Sequence, residues 1–171
     1  MYAVGVAGTT LVARSAAASS VDTGVAALDR LIELAARAGR FQVHLALAPA
    51  EPEAEVDAAG AELGRSLLPL LSVAGARGHG VGTMATDEAL ATVVLEVSGR
   101  PLVVANVDLA SSHVGGLESD LAVRFLNALA TVAGLTIHVR LVEGEESAHV
   151  VDAIFKALGV ALADACTVIQ D

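Results

Sequence analysis

The sequence predicts an α+β fold made of two related halves, each a mixed sheet with helices on one face, and three observations point to it. Helix-period and strand-period stretches alternate along the 171 residues, which is the pattern of sheets covered by helices. A strand, an acidic loop and a helix then recur. Phe41-Gln42-Val43-His44 matches Leu135-Thr136-Ile137-His138, and six residues beyond Asp57 and Asp152 comes Leu-Gly-x-x-Leu, at Leu63 to Leu67 and Leu158 to Leu162. Finally, 54% of residues are apolar but only 2% aromatic, so alanine, valine and leucine must build the core. Small side chains let helices approach closely, and the halves are expected to pack helix to helix. The division expected is 1–85 and 86–171, within one compact unit.

The elements follow in order. Val4 to Ser15 and Ala18 to Val21 are rich in valine, threonine and alanine and read as strands. Asp22-Thr23-Gly24 opens a helix to about Gly39, with Leu28, Leu31, Ile32 and Ala35 as its buried stripe. Phe41 to Leu47 alternates as a strand carrying His44. The next helix has Pro52 and acidic residues in its first turn, where a missing N–H and negative charge are both tolerated. It continues to about Ser72, with a kink expected at Pro69. Gly75 to Gly82 reads as a glycine-rich loop holding Arg77 and His79. Ala91 to Val97 and Pro101 to Val107 read as a hairpin closed by Ser98-Gly99-Arg100. Ser111 to Ser119 is a polar connector into a helix from Asp120 to about Ala133. Thr136 to Leu141 is a strand carrying His138. The last helix lies in Glu143 to Leu162, buried through Val150, Ile154, Ala157, Leu158, Ala161 and Leu162.

Charge and composition narrow the function classes. A net charge of −10 argues against nucleic-acid and anionic-membrane partners, which need basic patches. Cys166, the single cysteine, excludes an intrachain disulfide and fits a reducing cytoplasm. Mean hydropathy is +0.65, yet the longest uncharged run, Phe125 to Val139, falls short of the ~20 apolar residues of a spanning helix. The N-terminal MYAVGVAGTTLVA lacks the preceding Lys or Arg of a secretory signal.

The last helix is where chemistry is expected. His149, Asp152 and Lys156 lie in one stripe opposite the buried face. A histidine and a carboxylate three apart on a helix can share a metal ion, and a lysine one turn on can hold an anion. The plain alternative is a solvated helix face. In the glycine-rich segment, Arg77 is a candidate for holding a phosphate close to backbone.

That helix, with DEAL at Asp87 to Leu90, SGRP at Ser98 to Pro101 and TIH at Thr136 to His138, resembles the imidazoleglycerol-phosphate dehydratase family. The resemblance implies the ribosomal protein S5 domain 2-like fold, duplicated, and a shell of subunits with active sites between them. It also implies removal of water from a phosphorylated imidazole glycerol in histidine biosynthesis, with the imidazole held between two manganese ions. Imidazole and carboxylate both suit manganese, and the metals stabilise the charge that builds on the ring.

Carried over position by position, the resemblance divides the candidates in two. On the phosphate side Arg100 and Lys156 match directly and Arg77 is the candidate for the family's Arg-aromatic-Gly segment, one residue out of spacing with Asp87; Lys156 is the only lysine and sits in FKALG as the family has it. On the metal side little matches. TGVAALDRL places Arg30 where the family has a ligand histidine, and a guanidinium has no lone pair to give a cation. The first His-His-x-x-Glu becomes Glu53, Ala54 and Asp57; the second becomes Ala148, His149 and Asp152. The vestigial metal set is therefore His149, Asp152, His138 and Asp57, while His44, His79 and His113 have no ligand counterparts. Asp87 and Glu88 match an acidic pair. The family's Thr-x-Glu-Thr has become Gly8-Thr9-Thr10-Leu11, and CTVIQD has no counterpart to a terminal Ser-Thr-Lys-Gly lysine. The expectation is a dehydratase-like protein with a degenerate manganese site, little or no turnover, and a remaining site for a small phosphorylated imidazole-type ligand. It would assemble as a homo-oligomer or as a mixed shell with a catalytic paralogue. The alternative is an active hydro-lyase using a reduced or partner-completed manganese site.

Overall fold

The computed structural model describes residues 9–109 and 120–169. The start of the first expected strand, the polar connector 111–119 and the last two residues lie outside them. The described elements, in chain order, are β1 (Thr10–Val12), β2 (Ser20–Asp22), α1 (Ala26–Gly39), β3 (Gln42–Ala46), α2 (Pro52–Leu71), β4 (His79–Thr86), β5 (Ala89–Val97), β6 (Leu102–Ala105), α3 (Leu121–Ala133), β7 (Leu135–Glu143) and α4 (Ser147–Ala165).

Local chemistry sets the helix ends. Asp29 accepts from the Thr23 N–H at 2.8 Å and from the Thr23 hydroxyl at 2.5 Å, which turns the chain into α1. α1 stops at Arg40, in the left-handed region at φ 57°, and α3 stops at Gly134, at φ 67°. α2 starts on Pro52 with Glu53 and Glu55 in its first turn, and runs through Pro69 to Leu71.

The strands form two sheets, ordered β1-β3-β2 and β4-β5-β7-β6. In the first, β3 pairs antiparallel with β1 and parallel with β2. In the second, β7 pairs antiparallel with β5 and parallel with β6. The registers agree as well: His44 stands opposite Thr10 and Ser20, and His138 opposite Val94 and Val104.

Two sequence expectations are corrected here. β5 and β6 are not a hairpin, because β7 lies between them. The Ser98-Gly99-Arg100 turn instead carries the chain across the start of β7, held by Gly99 N–H donating to the Gly134 carbonyl at 3.0 Å and by Thr136 Oγ1 donating to the Arg100 carbonyl at 3.0 Å. The real hairpin is β4–β5, turning at Asp87 with φ 49°. Its first strand occupies the segment expected to be a glycine loop. Gly80 and Gly82 alternate with exposed His79, Val81 and Thr83 and face inward, where α4 crosses the strand. A Cβ at either glycine would run into α4 backbone, at the carbonyls of Ala161 and Ala157. The glycines serve close approach, not turning. With β4 in the second sheet, that sheet begins at His79, ahead of residue 86.

The helices lie between the sheets. α1 packs on α4 and α2 on α3, so each contact joins a helix of the first half to one of the second, and α4 also covers β4 and β5. The core runs through this interface: Leu28, Leu31, Leu67, Leu126, Leu129, Ile154 and Leu158 are buried, and the rings of Phe125 and Phe155 stack with centroids 5.6 Å apart. Gly159 lets α4 settle on α1, since a Cβ there would overlap the Ala35 carbonyl.

Candidate functional site

The polar stripe of α4 is half-buried along its length, and its three side chains reach three different neighbours. His149 reaches the β4–β5 turn. Its Nδ1 lies 2.7 Å from Glu88 Oε2 and its Nε2 lies 3.3 Å from Asp87 Oδ2. The ring thus lies between two carboxylates, with Nδ1 hydrogen-bonded to Glu88 and Nε2 in ion-pair range of Asp87. The hydrogen bond to Glu88 raises the His149 pKa above its ordinary value, and the charges of Glu88, Asp87 and Glu146 add to it. Glu88 in turn accepts the Glu146 N–H at 2.9 Å, capping the start of α4 from outside the helix. That backbone bond, then His149, lowers the Glu88 pKa to about 2.

Asp152 turns away from His149. Both its oxygens accept from the Arg30 guanidinium, at 2.9 and 2.7 Å. Lys156 donates to the Ala85 carbonyl of β4 at 3.1 Å. Asp57, on α2, accepts from Nε and Nη2 of Arg124 on α3, at 3.2 and 2.6 Å. Both arginines are held more firmly protonated by these bonds. His138 is exposed, on the face of the second sheet turned away from α4, between buried Ile137 and Val139. The sheet therefore separates it from His149. Among the described residues, no three His, Cys, Asp or Glu side chains are grouped so as to hold a metal ion.

The three basic candidates are also spread out. Arg77 pairs with Asp164 near the end of α4, and Asp164 Oδ2 accepts the Val81 N–H at 3.1 Å. Arg100 is exposed at the same end of the second sheet. Lys156 is bound to Ala85, at the other end of β4; at about 3.3 Å per strand residue, roughly 25 Å lies between the two ends. Arg124 has no role in the sequence expectations, and Glu88 enters them only as one of the acidic pair with Asp87. A signal existed for Arg124, which lies fourteen residues before His138, as Arg30 lies fourteen before His44 in the matching strand. Nothing local marked Glu88 as the partner of both His149 and the α4 N-terminus.

Comparison with known proteins agrees across sequence and structure. The family model of imidazoleglycerol-phosphate dehydratase matches residues 23–162. An imidazoleglycerol-phosphate dehydratase of Clostridium botulinum (strain Kyoto / Type A2) is 35% identical over 152 residues, covering 85% of this chain and 76% of that protein. One from Caldicellulosiruptor saccharolyticus is 32% identical over 158 residues, 88% of this chain and 80% of its own length. The crystal structure of the enzyme from Staphylococcus aureus superposes with a TM-score of 0.83 at 28% identity, covering 94% of this chain and 93% of that one. The Pyrococcus furiosus structure, in complex with (S)-C348, superposes with a TM-score of 0.80 at 25% identity, covering 95% and 91%.

Proposed function

The chain belongs to the imidazoleglycerol-phosphate dehydratase family of histidine biosynthesis, and from that premise we propose that it is a divergent member with a degenerate metal site and little or no dehydratase turnover. One observation carries this reading: the carboxylates at the family's ligand positions are already occupied. Asp152 gives both oxygens to Arg30 and Asp57 gives both to Arg124. His149, the histidine kept from the second motif, has each nitrogen against a carboxylate, and His138 lies across the sheet. Manganese would supply stabilisation of negative charge on an imidazole ring. This donor set does not fit two such ions, because the side chains that would reach them are paired with other groups or turned away.

What the chain keeps is a set of cations suited to a phosphorylated ligand. Arg77 and Arg100 sit at one end of the second sheet and Lys156 at the other. No single copy brings the three to one phosphate, so any composite site draws on neighbouring copies. The outer face of the second sheet supports such association: Val81, Val94, His138 and Val104 form one exposed row across β4, β5, β7 and β6. The partners are then further copies of this chain or a catalytic paralogue, in the cytoplasm. Among the described residues no helix is long and apolar enough to cross a membrane.

The test is metal content and turnover of the purified protein. The expected result is substoichiometric manganese and no measurable dehydration of imidazoleglycerol phosphate with manganese added. Stoichiometric manganese with turnover would establish the alternative, a hydro-lyase with a site completed between subunits.

A further inference from the structure

The two Arg–Asp pairs are related by the internal order of the chain. Arg30 and Arg124 each lie ten residues before the left-handed residue that ends their helix. Asp57 and Asp152 each lie six residues before Leu-Gly. The helices also occupy matching places, α1 and α3 between the second and third strands of the matching sets β1-β3-β2 and β5-β7-β6, α2 and α4 after the third. The arginine of each half binds the aspartate of the other: Arg30 joins α1 to α4, and Arg124 joins α3 to α2.

We propose that these two guanidinium groups are the resident cations of this fold, standing in for divalent ions, and that they clamp the two halves so that the protein folds and assembles without metal. The geometry favours this over a chance surface pair. Each contact is two-pronged, with two N–H groups on two carboxylate oxygens, which fixes direction as well as distance. The same contact occurs twice, at equivalent positions, across the same kind of interface. A cation approaching Asp152 or Asp57 would meet the fixed positive charge of the arginine and find no free oxygen pair. The inference rests on the metal-poor reading above but goes beyond it, since a chain can lose metal without gaining a clamp.

The experiment is a charge swap read by denaturant unfolding at fixed protein concentration, beside melting with excess manganese or with EDTA. Arg30→Asp and Asp152→Arg are each expected to lower the folded-to-unfolded ratio, and the double swap to regain about three- to five-fold over the sum of the singles. Arg124→Asp with Asp57→Arg should do the same. Wild type should melt identically with manganese and with EDTA. If a reversed variant does not fold, the neutral cycle of Arg30→Gln and Asp152→Asn reads the same coupling. Absence of coupling in both pairs, with no manganese bound, would overturn the clamp and leave the proposed function standing. Stoichiometric manganese that raises the melting temperature would overturn both.

Discussion

His149 lies between the Glu88 and Asp87 carboxylates of the β4–β5 turn, and this makes its contact with that turn pH-dependent. A histidine whose folded pKa is raised contributes stability that is complete below its ordinary 6.5 and is lost as pH rises through the raised value. Glu88 is lowered from 4.5 to about 2, so its contribution is complete above 4.5 and is lost as pH falls toward 2. The His149–Glu88 contact is therefore strongest between about pH 4.5 and 6.5. Melting of His149→Ala against wild type should show its largest deficit in that window and a shrinking one at higher pH; a deficit that grows above pH 8 would contradict the geometry. Cys166 behaves oppositely. Burial pushes its thiol up to about 11, so the nucleophilic thiolate is scarce near neutrality. Alkylation of native protein at pH 8 should be much slower than after unfolding. The residues of the candidate site were legible as types, a His, an Asp and a Lys on one helix face. Their partners were not, because Arg30 and Asp152 are 122 positions apart and Arg124 and Asp57 are 67 apart.

At the scale of elements, backbone proximity decides more than side-chain size. α4 lies so close to α1 and β4 that Gly159, Gly80 and Gly82 leave no room for a Cβ, and the obstructing atoms are backbone carbonyls, which cannot rotate aside. Gly159→Val is expected to destabilise by about 1–3 kcal/mol or more, measured by chemical denaturation, because the α1–α4 contact must open to admit it. The same closeness explains the glycines of β4. Glycine depletes a strand's side-chain pattern, so His79 to Gly82 reads as a loop until α4 is placed on it. The helices were legible because their apolar stripes repeat at helical spacing, and Leu28, Leu31, Phe125, Ile154 and Leu158 are indeed buried. The β5–β6 pairing was not. A good turn sequence says that the chain turns, but not which strand will occupy the neighbouring place.

At the scale of the whole molecule, the candidate cations lie at two ends of one sheet and an exposed apolar row crosses the outer face between them. If further copies cover that row, Val94→Glu should shift the mass measured by light scattering to a smaller species while the far-ultraviolet circular dichroism is unchanged. An unchanged mass would place the contacts elsewhere. The two sheets share strand order and register in β1-β3-β2 and β5-β7-β6, and the second sheet begins at His79.

The order of residues by itself determined the α+β class, the helices with their buried stripes, and the repeated Leu-Gly and strand signatures. Those are local facts, set by periodicity and residue chemistry within a few turns of chain. Only the tertiary structure decided that β7 separates β5 from β6, that α4 presses on the glycines of β4, and that Asp152 and Asp57 face arginines and not His149. Such choices depend on which distant surfaces meet, and they are settled by burying the apolar faces of both halves together, which no single segment encodes.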